Sequence, residues 1–98
     1  MKKFPQLSSK IVLAPMHNVS NLAFRLMCKK YGAGLVSTEL LSANAISREN
    51  NAVLRLALFD KSEKPVVCQI FSQNTENLIK AAKILEEKGF DIIDINFG

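Results

Sequence analysis

Residues 66–98 read VVCQIFSQNTENLIKAAKILEEKGFDIIDINFG, and the alternation within them decides the fold class. The stretch opens with an apolar run that is typical of a buried strand, and it closes with a second such run at residues 91–96. Between the two runs, apolar residues recur at the spacing of one helix face: Leu78, Ala81, Ala82 and Leu85. Asn74 or Thr75 can cap the start of this helix, and Gly89 suits the position after its end. The stretch therefore predicts a strand, a helix and a second strand.

The same alternation extends towards the N-terminus. KIVLA at 10–14 and AGLVST at 33–38 predict two more short strands, and SNLAFRLMCKKYG at 20–32 predicts a helix between them. On that helix we expect the basic residues to face solvent and the apolar residues to face the core. The first group is Arg25, Lys29 and Lys30, and the second is Ala23, Leu26, Met27 and Cys28. SANAIS at 42–47 fits either a loop or one helical turn, and ENNAVLRLALF at 49–59 predicts a helix.

Strands that alternate with helices imply βαβ units and a parallel sheet that is covered on both faces. Two architectures have this alternation of strands and helices. One is an open doubly wound sheet, and the other is a (β/α)8 barrel, which typically takes about 250 residues. The chain has 98 residues, enough for one small domain and well under half of such a barrel. No glycine-rich phosphate loop of the Rossmann or P-loop type occurs, which weakens a dinucleotide-binding interpretation of the open sheet.

Composition and cysteine use narrow the class of protein. Apolar residues make up 48% of the chain, so it is not a disordered polymer. The net charge of +4 suits a polyanionic partner, and it equally suits lysine-rich, solvated helix faces. The two cysteines, Cys28 and Cys68, form no CxxC motif, so we expect reduced core thiols, no metal site and a cytoplasmic protein. We recognise no signal peptide and no apolar stretch near the roughly 20 residues of a membrane span.

Residues of unusual type, most of them polar, lie where the predicted strands end, which is the edge where both architectures bind ligands. They are Met16, His17 and Asn18 after the first strand, Ser37, Thr38 and Glu39 at the end of the second, Gln69 within the third, and Asp94 and Asn96 in the fourth. Buried polar groups need hydrogen-bond partners, and an amide offers both donors and acceptors. Gln69 and Asn96 therefore suit the edge of a heterocycle such as a flavin or a pyrimidine.

Each of these residues also has a purely structural interpretation. Gln69 could satisfy a neighbouring backbone group, and Asn96 could cap the turn after its strand. Glu39 and Asp94 could be plain pairing residues. His17 could be a solvated loop residue, since the sequence offers it no visible base or nucleophile partner. The residues alone leave these alternatives open.

Three blocks of sequence together carry a resemblance to a known family. They are LAPMHNVSNLAFRLMCKKYGAGLVSTELLSA at 13–43, VCQIF at 67–71 and DIIDINFG at 91–98. In this order and spacing, the chain resembles the tRNA-dihydrouridine synthase family over nearly its whole length. The resemblance implies an α/β fold in which residues 1–98 are the N-terminal portion of a flavin-binding (β/α)8 TIM barrel. About four parallel strands with intervening helices are then expected.

The resemblance implies a function as well. Members of the family reduce particular uridines in tRNA to 5,6-dihydrouridine, with hydride from FMN that NADPH or NADH has reduced. Pro15, Met16 and His17 match the segment that contacts the flavin after the first strand. Gln69 matches an amide that hydrogen-bonds the flavin ring, and Asn96 matches the asparagine that holds the uracil. The partner implied is tRNA, the location is the cytoplasm, and no membrane is involved.

The resemblance also bears on catalysis. In the family the last motif continues Asn-x-Gly-Cys-Pro, and its cysteine donates the proton as general acid. The chain ends at Gly98, one residue before that position, and neither Cys28 nor Cys68 matches it. We therefore assign no catalytic residue and expect the 98-residue chain alone to be inactive. Two positions depart from the family pattern, since His17-Asn18 commonly reads Ala-Gly and a glycine often stands at Ser72.

Two alternatives remain beside this function. One is another FMN-barrel oxidoreductase, such as a dihydroorotate-dehydrogenase-like enzyme, although the Ala-Pro-Met and Thr-Glu blocks argue against it. The other is a non-catalytic half-barrel module that binds flavin or assembles with a second copy. An open half-barrel exposes the edge of its fourth strand, so we expect the chain to self-associate through that edge.

Overall fold

The computed structural model describes residues 2–98, in which short parallel strands alternate with helices. In chain order the elements are α1 (Leu22–Lys30), β1 (Val36–Ser37), β2 (Leu41–Ser42), α2 (Ala43–Ser47), α3 (Asn51–Leu56), a 3₁₀ helix (Lys61–Glu63), β3 (Val66–Phe71), α4 (Thr75–Glu87) and β4 (Ile92–Ile95). This element order confirms the expected α/β alternation.

None of these helices is long and apolar enough to cross a membrane.

β3 is the centre of the sheet. β4 pairs in parallel with Val67–Ile70 along one edge of β3. β1 and β2 share the other edge, β1 opposite Val66–Val67 and β2 opposite Ile70–Phe71. Val12 forms a single parallel bridge to Leu35, just before β1. The strands therefore neighbour one another in chain order, without the reversal of a doubly wound sheet, which is the order of a partial TIM barrel.

The two faces of β3 differ in burial. Val66, Cys68 and Ile70 are fully buried under α2 and α4. The opposite face carries Val67 and Gln69 and grows more open towards its end, where Phe71 is 44% exposed. This second face corresponds to the interior of a barrel. The sequence predicted a sheet covered on both faces, whereas this face is partly open within the described residues.

The helix predicted most clearly from the sequence is α4. The Asn74 side chain accepts a hydrogen bond from the backbone N–H of Asn77 and caps the helix start. Gly89 has a φ of +99°, the conformation expected just past a helix end. Ala81 and Leu85 are fully buried, as the spacing predicts.

Several predicted elements differ from the observed ones: the strand expected at 33–38 is reduced to Val36–Ser37, and β2 was not predicted. Residues 10–14 form an extended edge segment with a single bridge instead of a full strand. Residues 42–47 form a helix, because the Ser42 hydroxyl accepts from the backbone N–H of Ala45 and caps it. The helix predicted for 49–59 is shorter and covers Asn51–Leu56.

The predicted orientation of α1 is wrong at several positions. Met27, expected in the core, is 54% exposed, and Ala23 is exposed as well. Arg25, expected on the solvent side, is only 1% exposed. Local periodicity misplaces Arg25 because the partners that make its burial favourable lie more than 30 residues further along the chain.

Each of the three guanidinium nitrogens of Arg25 has a hydrogen-bond partner. Arg25 Nε donates to Glu63 Oε1 at 2.5 Å, and both side chains are almost fully buried. The two terminal nitrogens donate to backbone carbonyls, Nη1 to Ser20 at 2.8 Å and Nη2 to Leu58 at 2.7 Å. Glu63 Oε2 in turn accepts from the backbone N–H of Asp60 at 2.7 Å. The pair thus ties α1 to the segment that leads into β3.

Gly34 is required by a close approach of two chain segments. A Cβ atom at this position would lie 2.2 Å from the carbonyl oxygen of Ser9. The Ser9 hydroxyl donates to the carbonyl of Gly32 at 2.6 Å and holds the N-terminal segment against this turn. Glycine at position 34 therefore has a steric cause, whereas Gly32 is favoured by its φ of +103°.

Removing one partner of the buried ion pair is expected to destabilise the fold strongly. Glu63→Ala leaves the Arg25 charge buried without its counter-ion, which costs about 3–5 kcal/mol of unfolding free energy. Urea titration followed by circular dichroism measures this loss. Glu87→Ala is the matched control, because Glu87 is an exposed glutamate on α4. Equal midpoints for the two variants would contradict this role of the pair.

Candidate functional site at the carboxyl ends of the strands

Two concave surfaces lie at the strand ends and on the inner face of the sheet. The first is a cleft of about 360 Å³ at the carboxyl ends of β2, β3 and β4. Its lining is Leu40, Phe71, Ser72, Gln73, Asn96, Phe97 and Gly98. The second is a hollow of about 280 Å³ on the inner face, whose lining includes Pro15, Val67 and Asp94. The structure thus places Asn96 in the cleft and Pro15 in the hollow.

The turn after Pro15 is closed by a buried serine. The backbone N–H of Met16 donates to the Ser20 hydroxyl at 2.9 Å, and the backbone N–H of Ser20 donates to the Met16 carbonyl at 3.0 Å. Asn18, at the tip, has a φ of +57°, which asparagine tolerates better than most residues. Asparagine at position 18 can therefore adopt the left-handed conformation that the tip of this turn requires.

Glu39 braces this turn from the end of β1. Its side chain is 6% exposed, and Oε1 lies 3.5 Å from His17 Nδ1 and 3.4 Å from the backbone nitrogen of Asn18. The His17 side chain itself is 75% exposed. Sequence reasoning considered Glu39 as a pairing residue but could not identify its partner. The structure shows that it pairs with the loop of the preceding predicted strand.

Thr38 explains why β1 and β2 are separate. Its hydroxyl accepts from the backbone N–H of Gln69 at 3.2 Å, in place of a ladder hydrogen bond. Its own backbone N–H donates to the carbonyl of Val67 at 2.9 Å. The chain then leaves the ladder for three residues, and this break lets the Glu39 side chain reach the turn after Pro15.

Gln69 and Asp94 are opposite one another in the β3–β4 register. Gln69 Nε2 donates to Asp94 Oδ2 at 2.8 Å. The sequence predicted both residues at this edge but not their contact, because register between strands is a tertiary property. Asp94 also contributes to the inner hollow, so this pair lies beside Pro15 and Val67.

Asn96 caps the turn after β4. Its Oδ1 accepts from the backbone N–H of Gly98 at 2.7 Å, as one of the structural interpretations predicted. The capping uses only the carbonyl end of the amide. The Nδ2 group remains available as a donor at the wall of the cleft, and the residue is half-buried there.

A polar cluster that sequence reasoning missed supports the loop after β3. Asn44 Oδ1 accepts from the Ser72 hydroxyl at 2.6 Å and from Asn77 Nδ2 at 2.9 Å. Ser72 also accepts from the backbone N–H of Asn74, so it connects α2 to the start of α4. Serine at position 72 thus has a structural role where a glycine is common in the family.

The two thiols lie away from this edge. Cys68 is fully buried on the helix-covered face of β3, and burial raises the pKa of its thiol to about 11. Cys28 is a half-buried residue of α1. No group of three or more His, Cys, Asp or Glu side chains within residues 2–98 is arranged to hold a metal ion.

The two thiols are therefore expected to differ in reactivity. At pH 8 a thiol of pKa about 11 is about one part in a thousand thiolate, so Cys68 should resist iodoacetamide until the chain is unfolded in urea. Cys28, which is partly accessible, should be modified first. Peptide mass spectrometry of wild type and Cys28→Ser measures both rates. Rapid labelling of Cys68 in the folded Cys28→Ser variant would contradict its burial.

Comparison with known proteins agrees with the geometry. Residues 12–98 match the family model described as Dihydrouridine synthase (Dus). A probable tRNA-dihydrouridine synthase of Aquifex aeolicus is 39% identical over 90 residues, which are 91% of this chain and 28% of that protein. One from Rickettsia typhi is 35% identical over 94 residues, 95% of this chain and 29% of that protein. The tRNA-dihydrouridine synthase B of Pasteurella multocida is 39% identical over 94 residues, 95% of this chain and 28% of that protein.

The chain spans under a third of the length of these curated relatives. Within that span the match covers all the strands and the candidate site. Because the family model covers residues 12–98, the chain belongs to the dihydrouridine synthase family.

Proposed function

We propose that this chain contributes the first strands and part of the flavin and uracil site of a tRNA-uridine reductase. The observation that carries the proposal is the pair of amides at the strand ends, each with one end engaged by a neighbour. Among residues 2–98, no group bonds the Gln69 carbonyl oxygen or the Asn96 Nδ2 donor. An acceptor and a donor of this kind suit the N–H and C=O groups on the edge of a flavin or uracil ring.

The residues present fit the ring of FMN better than its phosphate. Pro15 and the half-buried Met16 provide apolar surface and backbone groups beside the inner hollow. Among the described residues, neither the cleft nor the hollow is lined by a lysine or arginine. We infer that residues 2–98 bind the ring, and that the phosphate is bound by groups outside them.

Each residue has a distinct role in the proposed reaction. Bound FMN, reduced by NADPH or NADH, supplies the hydride for the uracil 5,6 double bond. Gln69 orients the flavin ring, and the turn at Met16 and His17, braced by Glu39, limits how far the ring can shift. Asn96 holds the uracil edge in the cleft. The substrate is tRNA, whose phosphates suit the +4 charge, and we place the reaction in the cytoplasm.

The 98-residue chain alone is proposed to be inactive. Cys68 is buried on the helix-covered face of β3, and Cys28 is on α1. We therefore propose that neither thiol serves as the proton donor beside Asn96. The dihydroorotate-dehydrogenase-like alternative is not favoured, because the family match covers the whole candidate site.

Flavin titration tests the ring site directly. Gln69→Ala should weaken FMN binding about 3- to 10-fold, the effect of one lost hydrogen bond. Absorbance and fluorescence titrations are made with this chain and with the longest open reading frame that contains it. Gln6→Ala is the matched control, because Gln6 is an exposed amide of the N-terminal segment, whereas Gln69 is bonded to Asp94 in the lining of the hollow. Equal affinities for wild type and Gln69→Ala would remove Gln69 from the site.

Self-association through the edge of β4 is the second expectation. Within residues 2–98, the edge of β4 opposite β3 has no partner strand, and Ile95 is 39% exposed. Sedimentation velocity over a concentration series should show a dimer or larger species. Ile95→Lys should shift this species towards monomer, whereas Met27→Lys, a matched change at an exposed apolar residue of α1, should not. A wild-type chain that stays monomeric throughout would contradict the expectation.

A further inference from the structure

The contact between Gln69 and Asp94 fixes the direction of an amide. A carboxylate can only accept hydrogen bonds, so the end of the Gln69 amide that faces Asp94 has to be its NH₂ group. If the amide turned over, its carbonyl oxygen would face a carboxylate oxygen, and two acceptors would be in contact. The amide therefore has one favoured orientation, with Oε1 on the end away from Asp94.

This contact is not explained by the needs of the strand ladder. The backbone N–H of Gln69 already donates to the Thr38 hydroxyl at 3.2 Å. The side chain is half-buried, and Oε1 has no hydrogen-bond partner among residues 2–98. The structural interpretation, in which the amide satisfies a neighbouring backbone group, is therefore not met. The contact is solvent-exposed, and it leaves Oε1 as the one acceptor that this amide presents on the inner face of the sheet.

A fixed acceptor selects a ligand that has a donor. The oxidised flavin ring carries one N–H group, at N3 between two carbonyls, and the uracil base of a nucleoside carries one N–H group in the same setting. We propose that Asp94 is a positioning residue that sets which end of the Gln69 amide meets the ligand, so that the site selects the N–H donor of a cyclic imide ring. The choice of flavin as this ring rests on the function proposed above.

An exchange of the two side-chain types tests the proposal. In Gln69→Glu two carboxylates face each other, and FMN should bind at least about tenfold more weakly than to wild type. In the double variant Gln69→Glu, Asp94→Asn, the asparagine can donate to one glutamate oxygen, and the other oxygen is left as the acceptor for the ring. Binding should return to within about threefold of wild type. The titrations use the longest open reading frame that contains this chain.

The double variant separates this proposal from its opposite. If the ligand needs the N–H of Gln69 and not its oxygen, a glutamate cannot replace it and binding stays weak in both variants. That result would overturn the proposal. Urea midpoints of all variants are compared with wild type, so that recovery is scored only between proteins of matched stability.

A measurement without flavin keeps the proposal distinct from the proposed function. In ¹⁵N-labelled, flavin-free protein, the Gln69 side-chain NH₂ resonances should shift in Asp94→Asn, which removes the carboxylate that accepts from them, and should not shift in Glu87→Gln. Resonances that are the same in wild type and Asp94→Asn would overturn the positioning role, whatever the flavin result. If the resonances shift and wild type binds no flavin, the positioning role stands and flavin is excluded as the ring.

Discussion

The register of β4 against β3 is the constraint on which the candidate site depends. It sets Gln69 opposite Asp94, and it brings Asn96 to the rim of the cleft two residues further on. Side chains alternate between the faces of a strand, so a slip of one residue would turn Asp94 and Asn96 towards the helices. Their polar groups would then be buried without partners, and the inner face would present isoleucines instead.

Contacts at the amino ends of β3 and β4, together with the packing of α4, hold this register. Asp91 Oδ2 accepts from the backbone N–H of Val66 at 2.9 Å, which joins the start of β4 to the start of β3. Lys64 Nζ contacts both Asp91 Oδ1 and the carbonyl of Gly89. α4 sets the remaining distance, because Ala81 and Leu85 are buried against the sheet and the helix ends at Gly89. Hydrogen bonds and an ion pair to Asp91 therefore hold the amino ends of β3 and β4 together. The cleft lies at the opposite, carboxyl ends of these strands.

The sequence predicts the parts of this arrangement that are determined locally. The helix of residues 75–87 follows from periodicity and caps, and the burial of β3 follows from its apolar run. The orientation of Arg25 could not be predicted, because its partners Glu63 and the Leu58 carbonyl are distant in the chain. The same holds for the roles of Glu39 and Asp94. Their positions at the strand ends were readable, but their partners depend on which strands become neighbours.

At the site, the protein's own hydrogen bonds engage one end of each key amide and leave the other end free. Asp94 takes the donor end of Gln69, and the backbone of Gly98 takes the acceptor end of Asn96. The two free ends therefore have opposite polarity, although both side chains are amides. Under the proposed function, the Gln69 oxygen would accept from the N–H of one ring, and the Asn96 Nδ2 group would donate to a carbonyl of the other. Orientation set before binding reduces the conformational freedom lost when a ring arrives, which is the physical advantage of placing these amides on strands instead of flexible loops.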